Sequence, residues 1–199
     1  MASTNFSQWL RETTEGLVMA FVRPLAKLGI GPNALTVAGV LVASVGAIFA
    51  ARGQFALAAL WVALGTPFDA LDGSLARLTG KASDFGALLD STLDRYGEAA
   101  LLTGLGVYMS TQANTLGLVL VFVTLLGSVM VSYVRARSEG LGLSNKVGLF
   151  TRVERILLTF LMLIAGAFAP VAVTIGLGVL AVGTQFTVLQ RLAEARRQV

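Results

Sequence analysis

Four aspartates in one short run could do metal-assisted phosphoryl chemistry. The run is FDALDGSLARLTGKASDFGALLDSTLDRYG, residues 68–97, in a chain that is 55% hydrophobic and 13% charged. Asp69 and Asp72 stand at i, i+3, with Ala76 a further turn along, so a helix would carry them on one face. Gly86, Asp90 and Asp94 follow at i, i+4, i+8, again one face. The intervening TGKASD reads as a tight loop, which makes the two helices antiparallel neighbours and brings the four carboxylates together. Ionised carboxylates so packed repel strongly at low effective dielectric and need compensating cations. An oxygen-only set suits hard ions, Mg²⁺ or Mn²⁺, and four acids have room for two. Two such ions bind phosphate oxygens and promote in-line displacement. Gly73 and Ala76 keep one wall of the cleft small, and Arg77 is placed to neutralise a phosphate.

The elements that position these acids are membrane spans. At 199 residues the chain suits one domain, and its mean hydropathy of +0.78 exceeds what a soluble core requires. The expected fold is all-α and integral to the membrane, a single domain over 1–199. An interfacial amphipathic segment, 3–29, precedes a six-helix bundle, 34–195. The first span is 34–51, the second runs from Phe55 to about Ala76, the third from Gly86 to Tyr108, and the fourth is about 115–137. Between Arg155 and Arg191 only Pro170 interrupts an apolar run too long for one ordinary span, so two helices meeting at FAPV are expected. In the N-terminal segment Trp9, Leu10, Val18, Phe21 and Val22 alternate with Arg11, Arg23 and Lys27, with a break expected near Pro24. Pro32 and Asn33 open the first span. The 22 glycines fit close helix packing in lipid.

With the N-terminus inside, Arg52 is the one base of 15 assigned to the outer side, and all 11 acids fall inside. The positive-inside rule therefore puts both termini and the aspartates in the cytoplasm, in a multi-pass protein of the cell membrane. Glu12 and Glu15 argue against a signal peptide at the N-terminus. The net charge of +4 is read as flanking charge that meets anionic membrane lipid, not nucleic acid. There is no cysteine and no histidine, which excludes disulfides, thiolate or imidazole metal sites, cysteine nucleophiles and Ser-His triads. Two blander readings of the acids compete: surface pairing with local bases, and a transport pathway. The first does not account for two matched faces, and the second lacks a charged path across the spans.

Written out, the stretch is D-x2-D-G-x2-A-R-x8-G-x3-D-x3-D, from Asp69 through Asp94. It resembles the signature of the CDP-alcohol phosphotransferase (CDP-alcohol phosphatidyltransferase) family at each defining position, and PNALT at the start of span one matches as well. The resemblance implies a membrane enzyme of phospholipid biosynthesis that transfers the phosphatidyl group of CDP-diacylglycerol to an alcohol and releases CMP. It implies one ion on Asp69, Asp72 and Asp90, a second on Asp69, Asp90 and Asp94, and Asp94 as general base. Gly73, Ala76, Arg77, Ser83 and Gly86, with Pro32 and Asn33 at the cavity's edge, would bind the CDP-lipid. A homodimer is implied too.

The acceptor rests on other residues. Ser132 and Arg135 stand at i, i+3 near the inner end of span four, Arg152 and Arg155 at i, i+3 at the start of span five, and Arg191 at the end of span six. Cations converging at one membrane level would hold an anionic, phosphorylated acceptor, although ordinary flanking charge has the same distribution. The set Ser132, Arg135, Arg155 and Arg191 resembles the acceptor pocket of the bacterial phosphatidylinositol-phosphate synthase branch, which implies inositol 1-phosphate. One departure is Arg135, where that branch is expected to carry lysine. Glycerol 3-phosphate is the alternative acceptor, serine a third, and a non-catalytic transporter the alternative of another class.

Overall fold

The computed structural model describes Gly16 and residues 18–199; Trp9, Leu10 and Arg11 of the expected amphipathic segment lie outside these. The described residues are helical throughout, with short connections. Helix α1 covers 18–27. It is followed by α2 Pro32–Ala51, α3 Phe55–Gly65, α4 Pro67–Thr79, α5 Asp84–Thr111, α6 Thr115–Glu139, α7 Arg152–Phe168 and α8 Val171–Arg197. Connections at 52–54, 80–83, 112–114 and 169–170 are tight turns, and 140–151 is the long loop.

Two expectations are corrected here. The N-terminal helix does not break near Pro24 but continues to residue 27. Val22 is fully buried, with Leu25 and Ala26 packed beside it, so contacts on both sides of the proline hold the helix together despite the lost N–H. The second span is not one helix but two, α3 and α4, meeting at Thr66 with Pro67 at the first position of α4. Proline there ends the α3 hydrogen-bond ladder and has the φ angle a new helix needs. The other boundaries fall within a few residues of expectation, and the FAPV hairpin is present as α7 and α8.

Among the described residues, four stretches are long and apolar enough to cross a membrane: Pro32–Ala51, Phe55–Thr79, Thr115–Glu139 and Val171–Arg197. Helix α5 is long but carries the acids of its first half, and α7 has 17 residues. Large apolar side chains face outward along these helices, among them Leu41, Ile48, Phe122, Leu126, Val182 and Leu189. Such exposure suits hydrocarbon surroundings.

The chain divides into two compact units, Met1–Ala43 with Ala63–Gly97, and Ser44–Val62 with Glu98–Val199. In the first, Val22, Leu35 and Leu75 form a small core that joins α1, α2 and α4. In the second, a larger core runs from Ala50 and Phe55 through Leu105 and Met109 to Leu163, Leu177 and Leu180. Helices α6 and α8 pack along one another there. Gly127 permits it: a Cβ at that position would collide with the Thr184 side chain of α8. Small residues at such crossings replace the hydrophobic drive that lipid does not supply.

Candidate active site

The loop that joins α4 to α5 is built by its own sequence. Gly80 ends α4 in the left-handed region at φ 65, and its N–H reaches back to the last turn. Glycine takes that conformation without strain. Three residues later the Ser83 hydroxyl accepts from the Gly86 N–H at 3.1 Å, capping α5. Four loop residues thus turn the chain through a hairpin, and the two aspartate-bearing faces meet.

Asp69 of α4 and Asp90 and Asp94 of α5 bring one carboxylate oxygen each within 4.8 Å of one another, all half-buried. Asp72 lies within electrostatic reach of Asp90 and Asp69 but is more deeply set, at 6% exposure. Its Oδ2 accepts from the Thr36 hydroxyl of α2 at 2.6 Å. Thr36 was not among the residues singled out from sequence; a hydroxyl in an apolar span one turn after Pro32 was the available signal. Arg95, also missed, pairs with Asp94 at 3.6 Å, and its guanidinium also bonds the Ser91 carbonyl. Three carboxylates at this separation, with nothing but oxygen to offer, fit a hard divalent cation.

The residues expected around the donor gather in the same unit. Asn33 Oδ1 and Ser83 Oγ stand 3.3 and 3.2 Å from where a Cβ on Gly86 would sit, so a side chain there would press on both and one of them would have to shift. At Gly73 the situation differs: among the described residues, the Arg77 guanidinium, 3.5 Å away, is the one group outside the helix backbone near a would-be Cβ. Arg77 donates to the Ser74 hydroxyl at 3.1 Å, and its side chain is otherwise exposed. Pro32 and Ala76 are half-buried on α2 and α4.

The expected acceptor residues occupy the second unit. Arg155 and Arg191 are 4% and 3% exposed, and both are engaged within the fold. Arg155 forks onto Glu98, Nε to Oε1 at 2.7 Å and Nη2 to Oε2 at 2.9 Å, and Nη1 reaches the Phe150 carbonyl at 3.3 Å. Arg191 donates from Nε to the Val147 carbonyl at 2.9 Å and from Nη1 to the Val131 carbonyl. Arg135 is exposed and pairs with Glu139 at 2.9 Å. Arg191 lies within electrostatic reach of both Arg135 and Arg155, so the three guanidiniums do converge. Ser132 is half-buried one turn before Ala136. Reading these bases as simple flanking charge fails for Arg155 and Arg191, because flanking charges stay in water.

A helical membrane protein that closes a helix hairpin around an oxygen-only cation site belongs to the class suited to diphosphate chemistry at a membrane surface. Residues 30–189 match the family described as CDP-alcohol phosphatidyltransferase, and the chain belongs to that family. It is 41% identical over 179 residues to the archaetidylinositol phosphate synthase of Pyrococcus horikoshii, covering 89% of each chain. Two crystal structures of the Mycobacterium tuberculosis phosphatidylinositol phosphate synthase resemble it closely. The one with CDP-DAG bound has a TM-score of 0.85 at 29% identity, covering 89% of this chain and 92% of that one. The one in complex with manganese and citrate has a TM-score of 0.84 at 30% identity, covering 89% and 88%.

Proposed function

We propose that this protein transfers the phosphatidyl group of CDP-diacylglycerol to inositol 1-phosphate and releases CMP. The observation that carries the reading is the Asp69, Asp90 and Asp94 cluster with Asp72 beside it, on a hairpin of this family. The acceptor is inferred from the inositol phosphate shared by the names of the archaeal and mycobacterial relatives. Three converging guanidiniums on α6, α7 and α8 support it.

Asp69, Asp72 and Asp90 would hold one divalent ion, and Asp69, Asp90 and Asp94 a second. Bound there, Mg²⁺ or Mn²⁺ polarises the diphosphate and stabilises its leaving oxygen. Asp94 accepts the proton of the acceptor hydroxyl, at the carboxylate that otherwise faces Arg95. Gly73 leaves its wall open to the nucleotide, Arg77 turns from Ser74 to a diphosphate oxygen, Ser83 also contacts the CDP moiety, and Pro32 and Asn33 line the cavity's edge. Ser132, Arg135, Arg155 and Arg191 hold the acceptor's phosphate.

Six spans are retained in this proposal, with α5 and α7 added to the four apolar stretches. The acids of α5 lie in its first half, and α7, at 17 residues, stands at the short end of the range for a span. The orientation is aspartates to the cytoplasm and both termini inside, the assembly a homodimer, and residues 1–199 one domain. Helix α1 lies at the interface, with Phe21, and Leu28 in the turn just after it, turned outward beside Arg23 and Lys27.

The test is CMP release from purified protein with Mg²⁺ or Mn²⁺, adding inositol 1-phosphate, glycerol 3-phosphate, serine or free inositol in turn. CDP-diacylglycerol and its ether-linked archaeal counterpart are run as parallel donors. Turnover with inositol 1-phosphate is expected. Turnover with glycerol 3-phosphate instead would move the assignment to phosphatidylglycerol phosphate synthesis, and no CMP with any acceptor would support the transporter.

A further inference from the structure

Glu98 is an acid that the reaction, as described, does not use. It continues the stripe Gly86, Asp90, Asp94 by one more step of four, yet it serves different partners. Both of its oxygens are taken by Arg155, and Oε1 also accepts from the Ser128 hydroxyl at 2.9 Å. Ser128 is 2% exposed, so the carboxylate is steadied from a buried helix face of α6 while gripping an arginine of α7. A bidentate fork fixes a guanidinium in plane as well as in position, which a single hydrogen bond does not.

The donor count shows what the fork achieves. A guanidinium has five N–H groups. Glu98 occupies the Nε–H and one on Nη2, and the Phe150 carbonyl takes one on Nη1. One N–H on each of Nη1 and Nη2 remains, on two adjacent nitrogens whose spacing matches two oxygens of a phosphate. Arg155 is 4% exposed and cannot reorient freely, so the edge it offers is decided by what holds the other edge.

We propose that Glu98 is the positioning residue of the acceptor pocket: it grips the Nε and Nη2 side of Arg155 so that the remaining N–H pair faces the phosphate of the incoming alcohol. The inference rests on the proposed phosphorylated acceptor and deepens it. In this proposal Glu98 acts through Arg155 and not on the donor or the reacting atoms, so its loss should leave the donor's KM and the saturated rate in place.

Steady-state CMP release, with thermal unfolding of the same preparations, tests it. Glu98→Gln keeps the shape and the Ser128 contact but removes the charge and one acceptor site of the fork. It should raise the acceptor's KM about tenfold, the loss of one charge-assisted hydrogen bond, with kcat and the KM for CDP-diacylglycerol within about twofold. In an Arg155→Ala background the same change should have no further effect on the acceptor's KM. Ser128→Ala, which only loosens Glu98, should raise it about threefold and keeps the question answerable if Glu98→Gln does not fold. An unchanged acceptor KM in these variants, with Arg155→Ala still raising it, overturns the role of Glu98 alone. A lower unfolding temperature with an unchanged acceptor KM overturns it too, because the pair would then be structural. Wild-type protein that turns over no phosphorylated alcohol removes the underlying reading, and this inference with it.

Discussion

Thr36→Val should weaken the protein's hold on its divalent ions while leaving its chemistry intact. The Thr36 hydroxyl has one hydrogen and two acceptors in range, Asp72 Oδ2 at 2.6 Å and the Pro32 carbonyl at 3.2 Å. The shorter contact, to a carboxylate, takes the hydrogen. Both residues are 6% exposed, so water does not substitute for the lost donor. Valine fills the same volume, so what changes is the bond that fixes which way Asp72 points. A hydrogen bond to a charged group contributes about 1.5–3 kcal/mol, and one decade of affinity corresponds to about 1.4 kcal/mol. The half-saturating Mg²⁺ concentration should therefore rise about 10- to 100-fold, the range seen when a partner that orients a metal-binding side chain is removed. The assay is CMP release against Mg²⁺ at saturating donor and acceptor, with Thr36→Ser as the variant that restores the hydroxyl. At saturating Mg²⁺ the rate should return to within about threefold of wild type. A folded Thr36→Val protein with the wild-type Mg²⁺ midpoint would refute the idea that Thr36 aims Asp72 at an ion. A lowered saturated rate at that same midpoint would place Thr36 on the substrate side instead.

Asp94→Asn should preserve the fold and the donor's KM but lower kcat by about 10²–10⁴, the contribution typical of a positioned general base; wild-type turnover would remove Asp94 from that role. Gly73→Ala should fold normally, because Arg77 alone approaches the new methyl, yet raise the KM for the CDP-lipid; an unchanged donor KM would show that the nucleotide does not approach this wall. Gly127→Ala should destabilise the α6–α8 contact by about 1–3 kcal/mol, seen as a lower unfolding temperature, since its methyl meets Thr184; an unshifted temperature would mean that the helices can part without loss.

The aspartate hairpin was legible because everything that builds it is local. Gly80 and Ser83 close the turn from within it, and the spacing of the acids on α4 and α5 is a property of each helix alone. What escaped the sequence were partners from distant elements. Thr36 reaches Asp72 from 36 residues away, and Glu98 reaches Arg155 from 57. A single threonine in an apolar span carries no periodicity to expose its role. Glu98 did carry one, the next step of the four-residue stripe, but that spacing does not name an arginine 57 residues away as its partner. Pro24 and Pro67 show the same limit from the other side. Proline removes a backbone donor in both places, yet α1 continues past Pro24 under the packing of Val22, while α3 stops and α4 begins at Pro67. Local chemistry permits both outcomes, and tertiary contacts choose between them.

In the proposed acceptor pocket, charge more than geometry would sort the substrates. Arg191 satisfies its hydrogen bonds with the carbonyls of Val147 and Val131, which carry no net charge to offset its own. Arg155 is neutralised by Glu98, but that carboxylate is shared with Ser128 and committed to the fold. Arg135 and Glu139 are both about half exposed, and such a surface pair is worth about 0–1 kcal/mol, so Arg135 can exchange its partner for an anion at small cost. Buried Arg191 lies within reach of Glu139 as well as of Arg135 and Arg155, so the three guanidiniums together would leave a net positive charge, with Arg135 the mobile one and Arg155 already oriented. A phosphate monoester answers all three. Free inositol answers none, because its hydroxyls would leave the buried charge as it was, and the zwitterion serine brings an ammonium that the arginines repel. Discrimination should therefore follow the acceptor's phosphate, and raising ionic strength should raise the KM for inositol 1-phosphate while leaving any activity with free inositol unmoved.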